Sequence, residues 1–126
     1  MSKNVLVVDD SATIRKFVAA ALQLKGYKAI TAADGLEALE KMPAQAIDVI
    51  ITDLNMPDMD GYELIRTIRE SPQYRDIPIL VLSSMTDTQH KHDALELGVQ
   101  AYLEKPLSVE AIQLEVDRCL GTLTQP

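Results

Sequence analysis

The sequence has no tryptophan, one phenylalanine and a single cysteine in 126 residues. One thiol, Cys119, excludes an internal disulfide and any cysteine-based zinc cluster. Its place beside Leu120 and three residues after Val116 reads as a small core position on a helix. Four tyrosines and one phenylalanine offer little to stack on a flavin. Positive charge is also short: 12 Lys and Arg stand against 19 Asp and Glu, a formal net charge of −7. Phosphate backbones are bound by clustered Lys and Arg, so no nucleic-acid partner is expected. No stretch approaches the eighteen or so apolar residues of a membrane span, and the start, Met1 to Val5, lacks a signal-peptide core. A cytoplasmic protein with no membrane partner is the expectation.

What the chain does contain is ordinary for a globular domain, with 47% hydrophobic and 25% charged residues. The size scaling gives a folded surface of about 6,700 Å², with about two thirds of the unfolded surface buried, enough for a core without staples. Short β-branched runs cover residues 5–8, 28–31, 48–51, 77–82 and 101–103. Amphipathic stretches alternate with them. Ile14, Phe17, Val18, Ala21 and Leu22 mark one helical face; Leu36, Leu39 and Met42 a second; Leu64, Ile65 and Ile68 a third. Ala94, Leu95 and Leu97 mark a fourth, and Ile112, Val116, Cys119 and Leu120 a fifth. Ser11, Asp34, Asp60, Asp87 and Ser108 stand where N-caps belong, and Gly26 and Gly98 follow helical patterns where a left-handed residue is expected. Five strands alternating with five helices predict an α/β domain with a parallel sheet, each helix serving as a crossover.

In open parallel sheets ligands bind beyond the carboxyl ends of the strands. Asp9 and Asp10 follow the first run, Asp53 the third, Ser83 and Ser84 the fourth, and Lys105 and Pro106 the fifth. Three carboxylates, a hydroxyl and an ammonium therefore converge on one edge. Two carboxylates about 4 Å apart repel by about 4 kcal/mol at an effective dielectric of 20. A hard divalent cation relieves this, and Mg²⁺, with Mn²⁺ as its alternative, takes oxygen ligands of this kind.

Each residue also has a plainer role. Asp10 or Ser11 caps a helix, and neighbouring strand residues point to opposite faces, so Asp9 and Asp10 share a pocket only if the chain has left the strand. Residues 53–61 form a turn rich in Asp, Asn and Pro. Lys105 alone is a surface lysine, Ser83 a strand-end hydroxyl and Tyr102 a half-buried strand aromatic. His90 and His92, two apart on a helix, point in different directions and hold no common metal.

Taken together, Asp9 and Asp10 closing the first strand, Asp53 opening the stretch to Gly61, the hydroxyl of Ser83 and the Lys105, Pro106 pair resemble the receiver domain of bacterial two-component response regulators. The resemblance runs over nearly the whole chain and is to the single-domain CheY-like type. It implies a flavodoxin-like sheet of order 2-1-3-4-5 with five flanking helices, a receiver domain over 1–121, a short polar tail over 122–126 and no output domain. It implies that Asp53 takes a phosphoryl group from a sensor histidine kinase or phosphotransfer protein, and that Asp9, Asp10, Asp53 and the carbonyl of Asn55 hold Mg²⁺. Lys105 and Ser83 contact the phosphoryl oxygens, and the Lys105–Pro106 bond is cis. Ser83 and Tyr102 act as a switch that reshapes the face of the fourth helix, fifth strand and fifth helix for a downstream protein. Asn55 and Met85 tune phosphoryl lifetime; apolar Met85 orients no water, which favours slow hydrolysis. The kinase side is read by Ile14, Arg15 and Val18 with the loop after Lys105. Ser83 stands where Thr is commoner and Ser84 where Ala or Gly is frequent, and neither change removes the hydroxyl. The implied protein is a monomeric signalling module, not an enzyme acting on an external substrate, with chemotaxis as the first pathway and a phosphorelay shuttle or adaptor as alternatives. A Mg²⁺-dependent phosphohydrolase is the competing enzyme; its Asp-x-Asp motif and cap are not visible. A flavodoxin-like flavin protein wants a Ser/Thr/Gly-rich loop where this chain has an acidic pair.

Overall fold

The structure, a computed structural model, describes residues 2–54, 56, 59, 61–83, 92–93 and 95–121. Five strands, β1 (Asn4–Val8), β2 (Lys28–Ala32), β3 (Val49–Asp53), β4 (Ile79–Ser83) and β5 (Ala101–Glu104), form one sheet of order β2-β1-β3-β4-β5. Every pair is parallel, with Val8 beside both Ala32 and Thr52, and Asp53 beside Leu82. The strand order reverses between β1 and β3, the place where such sheets open a crevice at their carboxyl edge.

Alternate strand residues serve two cores, as a period of two requires. Leu6, Val8, Ile50, Ile79 and Val81 pack with Ala38, Leu64, Ile65 and Ile68 of helices α2 (Gly35–Lys41) and α3 (Gly61–Glu70). Val5, Val7, Val49, Ile51, Leu80 and Leu82 pack on the other face with Val18, Ala21 and Leu22 of α1 (Ala12–Gln23) and Ile112 and Val116 of the last helix, Val109–Leu120. Burial on both faces explains why the strands read as continuous apolar runs. The accessible surface is 6692 Å², the value expected for this mass.

Ser11, Asp34 and Ser108 cap their helices as expected, accepting from the amides of Ile14, Glu37 and Ala111. Gly26 and Gly98 take positive φ, 82° and 77°. The expected caps Asp60 and Asp87 lie outside the described residues. So does most of the expected fourth helix: among the described residues four α-helices flank the sheet instead of five, with residues 92–93 and 95–96 helical ahead of Gly98. Three residues of the predicted apolar helical faces stay largely exposed. Phe17, Leu36 and Leu95 remain 38%, 48% and 49% exposed, because each helix buries a stripe narrower than its apolar surface.

Two polar clusters fasten helices at a distance from the acidic edge. Arg69, on the last turn of α3, donates from Nη1 to the carbonyls of Arg75 and Ile77 at 2.8 Å each, from Nη2 to Gly98 at 2.9 Å and from Nε to Leu97 at 3.2 Å. Burial lowers its pKa, and nearby Asp76 opposes the shift. On the other face the buried carboxylate of Asp117 pairs with Lys25 at 3.1 Å and accepts from the Tyr27 hydroxyl. Gln113 of the same helix donates to the Ala21 carbonyl at 2.9 Å, so the last helix is tied to α1 and to the turn after it.

Candidate functional site: an acidic pocket at the carboxyl edge

The residues predicted for the strand ends do meet. Asp9, Asp10 and Asp53 each bring a carboxylate oxygen within 4.8 Å of the other two; Asp9 and Asp53 are buried and Asp10 is exposed. Asp53 and Ser83 are the last residues of β3 and β4 rather than residues beyond them, because the parallel ladder runs on through both. Lys105 follows β5, and its Nζ lies 3.2 Å from Asp9 Oδ2 and 3.7 Å from Asp53 Oδ2. The Lys105–Pro106 peptide is cis, as expected.

Each acid is held from its own backbone. The Leu54 amide donates to Asp53 Oδ1 at 2.8 Å and the Ser11 amide to Asp9 Oδ1 at 2.9 Å. Ser83 is fully buried, and its carbonyl accepts from the Lys105 amide at 2.8 Å, which brings β4 and the lysine together. Three carboxylates facing one ammonium leave two net negative charges. Three oxygen donors gathered within 4.8 Å under net negative charge form a donor set that can hold a hard divalent cation such as Mg²⁺.

Tyr102 of β5 is half-buried and packs against the core on the α2 and α3 side. Asn55, Ser84, Met85 and His90 lie outside the described residues. His92 is solvated and pairs with Glu96 at 3.0 Å, an ordinary i,i+4 surface contact. Cys119 is half-buried against Val116 and its neighbours; burial, helped by Glu115, pushes its thiol up to about 11, which keeps it unreactive. Val18 is completely buried, so it has no surface to offer a kinase. Ile14, Thr13 and Phe17 do, lining an apolar hollow of about 170 Å³ with Lys105, Pro106 and Leu107.

Two residues named in the sequence for other reasons also serve the site: Arg15, read for the kinase side, and Gly61, read as the end of a turn. Arg15 donates to the backbone carbonyl of Asp9 at 2.7 Å. Gly61 opens α3 against the acceptor strand: a Cβ there would stand 2.2 Å from the Asp53 carbonyl oxygen and 2.6 Å from Leu54 Cα. The glycine ending an Asp- and Pro-rich stretch was the available signal for the second of these roles, and nothing marked the first.

Comparison with known proteins gives this arrangement its class. A model of the response regulator receiver domain matches residues 5–117. The chain belongs to that family: it is a CheY-like receiver domain, a phosphoacceptor and not an enzyme that turns over an external substrate. It is 36% identical over 121 residues to chemotaxis protein CheY1 of Helicobacter pylori, covering 94% of this chain and 98% of that protein. The solved structure of chemotaxis response regulator CheY4 of Vibrio cholerae superposes with a TM-score of 0.88 at 41% identity, covering 95% of this chain and all of that one. A protein named "Probable transcriptional regulator ycf27" from Guillardia theta is 38% identical over 114 residues, and the chain spans 44% of its length. Among the described residues no helix is long and apolar enough to cross a membrane.

Proposed function

We propose that Asp53 is the phosphoacceptor and that the chain works as a cytoplasmic receiver domain over residues 1–121. The observation that carries this reading is the Asp53 carboxylate, oriented by the Leu54 amide, 3.7 Å from the Lys105 ammonium and clustered with Asp9 and Asp10. A carboxylate is ionised at neutral pH and needs no general base. One oxygen of Asp53 attacks the phosphorus of a phosphohistidine on a histidine kinase or phosphotransfer protein; the P–O bond forms, the P–N bond breaks and the imidazole leaves. Asp9, Asp10 and Asp53, with the Asn55 carbonyl, would hold Mg²⁺ or Mn²⁺, and the cation would supply positive charge against that gathered as the phosphoryl group approaches. Lys105 exchanges its Asp9 partner for a phosphoryl oxygen, and the Ser83 hydroxyl donates to another.

As Ser83 moves, the ring of Tyr102 turns further into the core. The face built from the helix ahead of Gly98, from β5 and from the last helix is thereby biased between two arrangements that a downstream protein distinguishes. A full helix before Gly98 completes the set of five. The hollow beside Lys105 suits an apolar side chain of the phosphodonor. Asn55 and Met85 set the phosphoryl lifetime. Chemotaxis is favoured by the names of two relatives, chemotaxis protein CheY1 of Helicobacter pylori at 36% identity and chemotaxis response regulator CheY4 of Vibrio cholerae at 41%.

Acetyl phosphate with Mg²⁺ tests the reading directly. Intact mass should rise by one phosphoryl group in the wild type and not in Asp53→Asn. An unmodified wild type, or an Asp53→Asn protein that still gains the mass, rejects it.

A further inference from the structure

Adjacent residues of a strand face opposite sides, yet Asp9 and Asp10 serve one pocket. The backbone explains how. The Asp9 amide still donates to Ala32 on β2 at 3.1 Å, the last rung of that ladder. Among the described residues the Asp9 carbonyl makes no further rung and accepts instead from Arg15 Nη1 at 2.7 Å. Asp9 Oδ1 takes the Ser11 amide, closing a short turn that swings Asp10 back toward the pocket. The chain therefore leaves the sheet between the two acids, and Arg15 holds the oxygen where it leaves.

Arg15 is suited to this by its place in α1. It begins the helical ladder, its amide donating to the Ser11 carbonyl at 3.0 Å. Helical side chains lean toward the N-terminus, so the guanidinium reaches back over Ser11 to Asp9. A cation this near a helix N-terminus opposes the helix dipole, so helix stability does not account for it. We infer that Arg15 is a positioning residue of the acidic pocket: through the Asp9 carbonyl it fixes the turn that places Asp10 beside Asp9 and Asp53. It touches neither phosphoryl group nor metal. The inference rests on the proposed Mg²⁺-dependent chemistry and extends it to a residue outside the ligand set.

The sign of the effect on metal affinity separates positioning from charge. Removing a nearby positive charge strengthens Mg²⁺ binding by Coulomb's law alone; loosening the turn weakens it. Calorimetric titration of metal-free protein with MgCl₂ should show Arg15→Met binding about tenfold more weakly than wild type, the scale of loss of an outer-shell partner. Lys16→Ala, which removes the neighbouring exposed charge, should bind equally or more tightly, and Arg15→Lys should recover part of the loss. Half-saturating Mg²⁺ for acetyl phosphate labelling should rise by the same factor, with the rate at saturating Mg²⁺ within twofold of wild type. Melting without metal identifies any variant that fails to fold, in which case Arg15→Lys against Lys16→Ala decides. A wild type that binds Mg²⁺, with Arg15 variants binding as tightly or more so, overturns the role alone. A wild type that takes no Mg²⁺ overturns the role and the receiver chemistry together.

Discussion

A methyl group at position 61 would stand 2.2 Å from the carbonyl oxygen of Asp53, inside any real contact. Gly61 also donates its amide to the Leu54 carbonyl at 2.9 Å, so the start of α3 is built against the acceptor strand. Gly61→Ala must push that strand or the helix aside, and backbone clashes of this kind cost about 2–4 kcal/mol. A urea melt should show that loss, with acetyl phosphate labelling slowed although every acid is intact; unchanged stability and labelling would refute the contact. At this scale the sequence disclosed the acids and the lysine because they interrupt or end apolar runs, where a charge has no packing purpose. Arg15 was read only for the kinase side; its grip on the Asp9 carbonyl was hidden because a backbone acceptor has no side-chain signature.

Among elements, the Arg69 clasp joins the end of α3, the segment leading to β4 and the residues ahead of β5. It places one cation on the carbonyls of Leu97 and Gly98, at the end of a helical stretch where a positive charge is favourable. Arg69→Met keeps the stem and strips the donors. The carbonyls of Leu97 and Ile77 are partly buried, while water replaces the guanidinium at the exposed ones. The cost should be about 2 kcal/mol, read as a melting point lowered by roughly 6–10 °C. Mg²⁺ affinity at the opposite edge should stay within twofold; a large change there would show that the clasp and the pocket are one unit. Strands and caps were legible because periodicity and capping chemistry are local. The exposure of Phe17, Leu36 and Leu95 was not, since the width of a helix's buried stripe depends on how neighbouring elements seat against it.

For the molecule as a whole, gathering three carboxylates at one edge carries a repulsion that a bound cation would relieve. Metal-free, its three carboxylates share the single ammonium of Lys105 among the described residues. Asp10→Asn should therefore make the metal-free protein more stable, by about 1–2 kcal/mol given that Asp10 is exposed. With MgCl₂ at about a hundred times its dissociation constant the wild type should gain about 2.7 kcal/mol, and Asp10→Asn much less. Thermal melts of the two proteins with EDTA and with MgCl₂ should cross; parallel shifts would argue against a cation at the three acids. The parallel topology and its order followed from the alternation of runs and from the family resemblance. The net charge of −7 gave no hint that part of it is confined to one pocket.

The ties between α1 and the last helix carry one further consequence. Arg15 rides on α1, and Lys105 stands three residues ahead of Ser108, the cap of the last helix. Asp117 ties the far end of the last helix to Lys25 and Tyr27 just after α1, and Gln113, in its first half, is tied to Ala21 near the end of α1. The two cations that grip Asp9, one by its backbone and one by its carboxylate, thus belong to a common lever. A protein that leans on the last helix shifts both grips in concert, and by reciprocity a change at the acids is felt as a change in how firmly that protein is held.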